Sequence, residues 1–327
     1  MMFSRLREWG HRLWVGRSAS LPAWKSGLVP TRRAVKLLAP LRVLALLCCL
    51  PLGGVAASPP SSQRPLPRRQ APEQPVVFGH SVQGRPLRAF VLGHGANVTM
   101  IFGGFHGNER SGPGVVERLR AYLQQHPDQW WDCKVILVPY ANPDGWKAGT
   151  RVNAHQVDLN RNFPGSWSPV VKEARRNPGP SAASEPETRA IMELVAQCSP
   201  AKIVSLHQPL HLLNWTGLRG QELAAVMGRD DHYRLSAGVG YTTHGAFGDY
   251  CGRYGISVVT LEMPNVGVTR AWQQNREALM AAIGFRESQQ SHMASPPRVA
   301  SRGATGNVAP QRVSRLRIGR RKQERSL

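Results

Sequence analysis

Residues 98–124 read VTMIFGGFHGNERSGPGVVERLRAYLQ, a strand pattern, a glycine-rich turn and a helix pattern in succession. Val98–Phe102 is a short apolar run, and the apolar residues from Val115 to Gln124 recur at helical spacing. The turn between them carries His106 and Glu109, so polar side chains follow directly after a strand that is apolar enough to be buried. A strand followed by a helix is the repeating unit of α/β proteins.

The same alternation continues on both sides of this segment and predicts an α/β fold. Buried strands separated by helices are typical of a single domain with a mixed, largely parallel twisted sheet and helices on both faces. For the helix from Ser184, we expect Ser184 to be the N-cap and Glu187 to complete a capping box. The further predicted strands are Arg88–Leu92, Lys134–Pro139, Ala201–Leu206 and Ile256–Leu261, and the further helices are Ser184–Gln197 and Ala271–Ile283.

Polar residues follow four of the predicted strands at the point where each strand ends. They are His106–Glu109, Asn142–Gly145, His207 and Glu262. Ligands of open α/β sheets bind outside the carboxyl ends of the strands. We therefore expect these four groups to converge on one crevice.

The net charge of +22 is distributed unevenly along the chain of 327 residues. Residues 1–75 hold 12 basic and 2 acidic side chains, residues 76–285 hold 20 and 16, and residues 286–327 hold 10 and 2. A uniformly basic domain that binds nucleic acid is therefore excluded, because the charge excess lies in the two ends. We predict a folded domain at 76–285, a proline-rich linker at 58–75 and a basic disordered tail at 286–327.

The N-terminal residues 1–57 have the pattern of an extension that ends in a secretory signal peptide. Basic residues at 32–36 precede an apolar run, Val43–Leu52, and small residues lead to a predicted cleavage after Ala57. The pattern predicts export to the periplasm or cell envelope, with no stable membrane span after cleavage. An uncleaved anchor or a buried helix is the alternative, and translation from Val29 or Val35 is a further hypothesis.

The cysteines and the tail leave two interpretations open. Cys133, Cys198 and Cys251 would remain after cleavage, and this odd number favours buried free thiols, although one bridge is the alternative. The basic tail is either a solvated extension or a site for an anionic envelope polymer.

Compact nitrogen and oxygen donors point to a zinc site. A catalytic zinc has three protein ligands, and His106 and Glu109 offer two from one turn. His207 is the candidate for the third because a strand positions it, while His211 competes from four residues further along. Taken singly, each histidine is equally explained as a structural residue.

Charged residues near these strand ends supply candidates for acid–base work and anion binding. Glu262 follows five largely apolar residues, so its carboxylate should face a cation or an active-site water unless it forms a structural ion pair. Arg161 and its neighbour Asn160 can hold a carboxylate, and Arg151, ten residues before Arg161, is a second positive group available for a developing oxyanion.

Six motifs in this order resemble the zinc metallocarboxypeptidases, and within them the short bacterial branch of murein peptide amidases. The similarity spans about residues 76–284 and neither tail. The motifs are His106–Glu109, Asn142–Gly145, Val157–Pro164, Ser184–Thr188, Ser205–His207 and Thr260–Pro264.

This resemblance implies a role for each of nine residues. His106, Glu109 and His207 correspond to the ligands of one zinc ion per chain, and Glu262 corresponds to the general base. Arg151 matches the oxyanion-stabilising arginine, Asn160 and Arg161 the pair that holds the terminal carboxylate, Tyr241 the substrate-binding tyrosine, and Asp158 the residue that orients His106.

The implied activity is hydrolysis of a terminal amide bond in a peptide by zinc-activated water. The resemblance implies the γ-D-glutamyl–diaminopimelate bond of murein peptides as the substrate. One alternative is an aspartoacylase-like zinc deacylase of N-acyl amino acids. The other is a non-catalytic envelope-binding protein that acts through its basic tails. The motif Asn142–Gly145 and the complete set of catalytic residue types favour the peptidase.

Overall fold

The computed structural model describes residues 75–130, 132–170, 173–229, 233–241 and 243–286. The predictions for the leader, for most of the linker and for nearly all of the tail concern residues outside these ranges. Within the part of the chain that the structure describes, no helix combines the length and apolar character needed to cross a bilayer.

Eight strands form one mixed sheet in the order β1-β2-β4-β3-β5-β8-β6-β7. The central strands β4, β3, β5 and β8 run parallel, while β1, β2 and β6 pair antiparallel with their inner neighbours. This arrangement confirms the predicted mixed sheet. The strands are β1 Val76–His80, β2 Pro86–Gly93, β3 Asn97–Phe102, β4 Cys133–Val138, β5 Lys202–His207, β6 Leu212–Thr216, β7 Arg234–Ser236 and β8 Ser257–Glu262.

Helices cover both faces of the sheet, as predicted. One apolar core packs Val204 and Val259 against α1, α4 and α6, and the other packs Ile203 and Val258 against α3 and α5. Successive residues of β5 and β8 enter opposite cores because strand side chains alternate between faces. The helices are α1 Ser111–Gln125, α2 Pro143–Ala148, α3 Pro186–Cys198, α4 Gly220–Met227, α5 Phe247–Gly252 and α6 Val268–Gly284.

The predicted capping box at the start of α3 is wrong. Glu185 occupies the N-cap position, and no side chain caps the helix. The Ser184 hydroxyl instead donates to the Glu185 carboxylate at 2.7 Å and accepts from the amide of Asn162 at 2.9 Å. Glu187 is fully buried and accepts from the backbone N–H of Val82 at 3.1 Å. Tertiary contacts therefore replace the local cap.

The cysteines at 133, 198 and 251 are free thiols. Cys133 and Cys251 are buried, and Cys198 is partly exposed. Burial raises the pKa of the Cys251 thiol well above its usual value, so this side chain behaves as a small core residue.

Candidate active site

His106, Glu109 and His207 meet at the carboxyl ends of β3 and β5. The Nδ1 atoms of the two histidines lie 3.2 Å apart, and the Glu109 carboxylate lies 2.7 Å from one and 3.0 Å from the other. One donor atom from each residue lies within 4.8 Å of the others, and both histidines are buried. Two imidazole nitrogens and one carboxylate oxygen converging in this way are a donor set that fits zinc and leaves a fourth position open.

The turn that carries His106 and Glu109 is fixed by close backbone packing. The backbone N–H of Asn142 donates to the carbonyl of Gly104 at 2.9 Å, which joins the turn to the loop after β4. A Cβ atom added at Gly107 would lie 1.9 Å from the carbonyl carbon of Gly145. Only glycine at 107 therefore lets the turn approach the start of α2 this closely.

The expectation that all four polar strand ends enter one crevice holds for three of them. His106, His207 and Glu262 line a common cavity, whereas the segment Asn142–Gly145 does not. The Asn142 side chain caps α2 by accepting from the N–H of Gly145 at 2.9 Å. Asp144 accepts from the Ser81 hydroxyl at 2.8 Å. This motif therefore supports the site without lining the cavity, because its side chains bind the start of α2 and the Ser81 hydroxyl.

The buried carboxylate of Asp158 fixes the orientation of His106. Its Oδ1 atom lies 3.0 Å from Nε2 of His106, on the side of the ring that faces away from the donor cluster. Burial alone would raise the pKa of Asp158, but His106, Arg151 and Arg161 outweigh it and hold the pKa well below its usual value. An ionised Asp158 can only accept, so Nε2 carries the proton and Nδ1 keeps its lone pair for a metal.

The charges of this cluster also shift the pKa values of Glu109 and His106, two of the three donor residues. Burial favours neutral forms, yet His106 and His207 hold the pKa of Glu109 well below its usual range. Burial also lowers the pKa of His106, but Glu109 and Asp158 outweigh it, so the net shift is upward. The cluster thus attracts positive charge, as a cation site must.

Arg151 lies beside the cluster and contacts its two acidic members. Its Nε and Nη2 atoms lie 2.9 Å from Oδ2 of Asp158, and Nη1 lies 3.5 Å from the carboxylate of Glu109. Its side chain is 19% exposed and lines the cavity, so a cation faces the cavity beside the donor cluster.

Asn160 and Arg161 lie in a short 3-10 helix, Leu159–Arg161, which the Asp158 side chain caps by accepting from the backbone N–H of Asn160 at 3.0 Å. Phe247 N–H donates to Oδ1 of Asn160 at 2.9 Å, which leaves the NH₂ group of this amide as a donor. Arg161 is 7% exposed and donates from Nη1 to the Asn160 carbonyl at 2.5 Å. Both residues line the cavity, where a buried guanidinium beside an amide donor suits a carboxylate ligand.

Glu262 is the last residue of β8 and lies in register with His207 on β5. It is 8% exposed, and its Oε2 atom is buried without a hydrogen-bond partner among the described residues. Burial raises the pKa of Glu262, and the carboxylate of Glu109 raises it further. These effects outweigh the nearby His207, which lowers the pKa, so the net shift is upward. A buried carboxylate with one unsatisfied oxygen is poised to accept a proton from a bound group.

Tyr241 lines the same cavity and lies at its exposed rim. Its side chain is 43% exposed, and the guanidinium of Arg176 lies 4.3 Å from the ring centroid. The cavity has a volume of about 280 Å³, close to the lower limit of about 300 Å³ for small-molecule sites. It therefore accommodates one end of a substrate.

A model of the family described as zinc carboxypeptidase matches residues 70–298 of the chain. The chain belongs to the zinc carboxypeptidase family. It is similar to murein peptide amidase A of Vibrio campbellii, with 30% identity over 222 residues that cover 64% of this chain and 87% of the relative.

Two solved structures extend the comparison to the fold. The murein-tripeptide amidase of Escherichia coli O157 has a TM-score of 0.52 and 27% identity, and the match covers 69% of this chain and 98% of that one. Carboxypeptidase A of Helicoverpa armigera has a TM-score of 0.57 at 19% identity, covering 66% and 70% of the two chains, and shares the fold. The protein is therefore a zinc carboxypeptidase-family hydrolase close to the murein peptide amidases.

His211, the competing histidine, does not join the donor cluster. It is exposed, and its ring packs edge-on against Tyr233 with 4.6 Å between centroids. The backbone of His211 has φ of 54°, which turns the chain away after β5. Within the described residues, only His106, Glu109 and His207 form a group able to hold a metal ion.

The sequence analysis missed several residues that line the cavity. Asp249 and Arg176 approach from α5 and from the loop before α3, and Asn214 lies on β6. Two glycines, Gly245 and Gly248, lie just before Asp249 and are a local sequence signal of a close approach between this backbone and a neighbouring segment.

Replacing Asp158 with asparagine should weaken zinc binding about 10–100-fold, the usual cost of losing a carboxylate that orients a ligand histidine. The amide cannot reproduce the charge that holds the Nε2 proton, although it keeps the shape. Competition with a fluorescent chelator measures the affinity, and Asp128→Asn, an exposed position, is the control. An unchanged affinity in Asp158→Asn would show that Asp158 does not orient His106.

Proposed function

We propose that this zinc carboxypeptidase-family hydrolase cleaves a terminal amide bond of murein peptides, the γ-D-glutamyl–diaminopimelate bond. One observation carries the proposal. A single cavity contains the unsatisfied carboxylate oxygen of Glu262, the three donors around His106 and the buried guanidinium of Arg161. A proton acceptor, a metal site and an anion site are the parts that terminal amide hydrolysis requires.

The proposed metal is one zinc ion per chain, held by His106, Glu109 and His207. When bound, zinc supplies a Lewis acid that polarises a carbonyl and lowers the pKa of a water ligand toward about 7. Glu262 acts as general base and accepts a proton at Oε2 from the attacking water. It then donates this proton to the nitrogen of the leaving amine as the C–N bond breaks.

The remaining residues position the substrate. Arg161 and the NH₂ group of Asn160 are proposed to hold the terminal carboxylate. This restricts cleavage to the end of a chain because an internal bond presents no carboxylate there. Arg151 is proposed to stabilise negative charge that develops on the scissile carbonyl oxygen. Tyr241 is proposed to close over the bound substrate from the rim.

The choice of murein as the substrate is supported by the named activities of similar proteins. Murein peptide amidase A of Vibrio campbellii and the murein-tripeptide amidase of Escherichia coli O157 both match over most of their own length. The small polar cavity is consistent with one terminal residue of a short peptide.

A product assay tests this proposal. Purified protein with its metal content quantified is incubated separately with L-alanyl-γ-D-glutamyl-diaminopimelate and with a panel of N-acyl amino acids. We expect diaminopimelate to be released from the tripeptide alone. Cleavage of the N-acyl amino acids instead would support the aspartoacylase-like alternative, and no cleavage by zinc-loaded protein would support the binding protein.

We also propose that the enzyme works in the periplasm or cell envelope. The signal-peptide pattern at the N-terminus supports export, and the net charge of the tail supports attachment to an anionic envelope polymer. Both features lie outside the described residues.

A further inference from the structure

Gln208 is the first residue after β5, and its side chain bridges two other segments of the site. It is buried. Its Oε1 atom accepts from the backbone N–H of Ser111 at 3.0 Å, and its Nε2 atom donates to the carbonyl of Pro264 at 3.0 Å. Ser111 lies two residues after Glu109, and Pro264 lies two residues after Glu262. One buried amide therefore connects the segment that carries a metal donor with the segment that carries the proposed base.

The start of α1 takes this hydrogen bond from outside the helix. The first N–H groups of a helix have no acceptor within it. Arg110 occupies the N-cap position of α1, and its side chain caps none of them. The amide oxygen of Gln208 accepts from the N–H of Ser111 instead. Gln208 therefore supplies a specific link between β5 and α1 that neither the sheet nor the helix provides.

Two backbone hydrogen bonds hold the neighbouring residues, whatever side chain stands at position 208. The backbone N–H of Gln208 donates to Oε2 of Glu109 at 3.2 Å. The backbone N–H of Met263 donates to the carbonyl of His207 at 2.8 Å. A change of the Gln208 side chain leaves both bonds in place, so its effect should fall on the loop after β8 and not on the metal donors.

The carboxylate of Glu262 depends on the backbone around it for its position. Its Oε2 atom has no hydrogen-bond partner in the described part of the chain, and the carboxylate bonds to the backbone of Leu210. The end of β8 and the loop after β5 therefore set where this oxygen lies. Gln208 belongs to that loop and holds the residues after β8 through Pro264.

We propose that Gln208 is a positioning residue that fixes Glu262 relative to the metal donors. Its amide holds the loop after β8 to the start of α1, so the segments that carry Glu262 and Glu109 keep one separation. This inference rests on the proposed function, in which Glu262 accepts a proton from the attacking water. Gln208 should therefore act on the chemical step and leave the binding of zinc and of substrate nearly unchanged.

Gln208→Met removes both side-chain hydrogen bonds and keeps the length of the side chain. We expect kcat to fall about 10–100-fold, because a misplacement of about 1 Å can cost about 10²-fold in rate. KM and the affinity for zinc, measured by competition with a fluorescent chelator, should change less than about 3-fold. Gln274→Met, the same substitution on α6 outside the cavity, is the matched control and should keep the wild-type kcat.

The Gln208→Met protein should keep its fold, because a second contact joins the same two segments. The Ser111 hydroxyl donates to the carbonyl of Val266, in the loop after β8. Thermal unfolding of each variant checks this expectation. If Gln208→Met does not fold, Gln208→Asn provides the measurement instead. Its amide is one methylene shorter and should reach only one of the two partners, so the same loss of kcat is expected.

A double-mutant cycle distinguishes the positioning of Glu262 from a general loss of structure. Because Gln208 acts through Glu262, Gln208→Met should slow the Glu262→Gln protein less than about 3-fold in single-turnover hydrolysis. A merely structural role would slow both backgrounds by the same factor. That result would overturn the proposal, and so would an unchanged kcat in Gln208→Met or a loss explained entirely by weaker binding of zinc or substrate.

Two substrates, assayed separately, distinguish a failure of this inference from a failure of the proposed function. They are L-alanyl-γ-D-glutamyl-diaminopimelate and benzoylglycyl-phenylalanine. Cleavage of the second alone, with the expected cycle, would support the positioning role and overturn the murein substrate. Cleavage of the first, with equal factors in both backgrounds, would support the murein substrate and overturn the positioning role. Cleavage of neither by zinc-loaded protein would overturn both.

Discussion

Glu262→Gln should reduce kcat about 10²–10⁴-fold while the protein keeps its zinc. The side chain is buried in the cavity that His106, Glu109 and His207 also line, and its Oε2 atom has no hydrogen-bond partner in the described structure, so this oxygen is available to accept a proton. Glutamine has nearly the same shape but cannot accept and return a proton. Single-turnover hydrolysis of a defined murein peptide, with zinc measured by elemental analysis, checks this expectation.

Two comparisons make the Glu262→Gln experiment specific. Glu277→Gln removes an exposed carboxylate that pairs with Arg276 on α6 and should have no effect on turnover. Loss of zinc from Glu262→Gln would mean that Glu262 is a ligand, and full turnover with zinc retained would eliminate it as the base.

The sheet and the position of the site were predictable because buried strands have a simple sequence pattern. The apolar runs before His207 and Glu262 correspond to β5 and β8, and each polar residue is the last of its strand. Parallel neighbours bring such ends to one edge of a sheet. A polar residue at the end of a buried strand therefore predicts where a site lies before any contact is known.

The contacts made by loops were not predictable in the same way. The segment Ser184–Glu187 has the pattern of a capping box, yet Ser184 bonds to Asn162, which is distant in the chain. In the segment Asn142–Gly145, Asn142 likewise caps α2, and Asp144 accepts a hydrogen bond from the Ser81 hydroxyl. Local patterns indicate which groups need partners, and tertiary packing decides which partners they find.

Asp249 illustrates the limit most clearly. Burial raises its pKa and Arg161 and Arg253 lower it, yet no described basic side chain forms an ion pair with it, and no spacing along the chain predicts that arrangement. Its hydroxyl contacts come from Ser166, in a separate loop, and from Thr243. A weakly satisfied acid in a cavity is visible only when the surrounding elements have been assembled.

His207→Ala should abolish zinc binding and catalysis, and His211→Ala should do neither. His207 is buried between His106 and Glu109, whereas His211 is exposed four residues later and packs against Tyr233. The pair tests the same substitution at two positions that are four residues apart, one at the end of β5 and one in the loop that follows it. Removing a ligand should reduce the affinity for zinc more strongly than replacing a residue that only orients a ligand, for which the expected loss is about 10–100-fold.

Thermal unfolding provides a second measurement for the same pair, independent of activity. A ligand that binds only the folded state stabilises it by about 4 kcal/mol at a concentration near 1,000 times its Kd. Added zinc should therefore raise the Tm of the wild type and of His211→Ala, and leave that of His207→Ala almost unchanged. An equal rise in all three would place the metal elsewhere. A rise lost only in His211→Ala would make His211 the ligand, and the structure argues against that result because the His211 ring packs against Tyr233 while His207 lies in the donor group with His106 and Glu109.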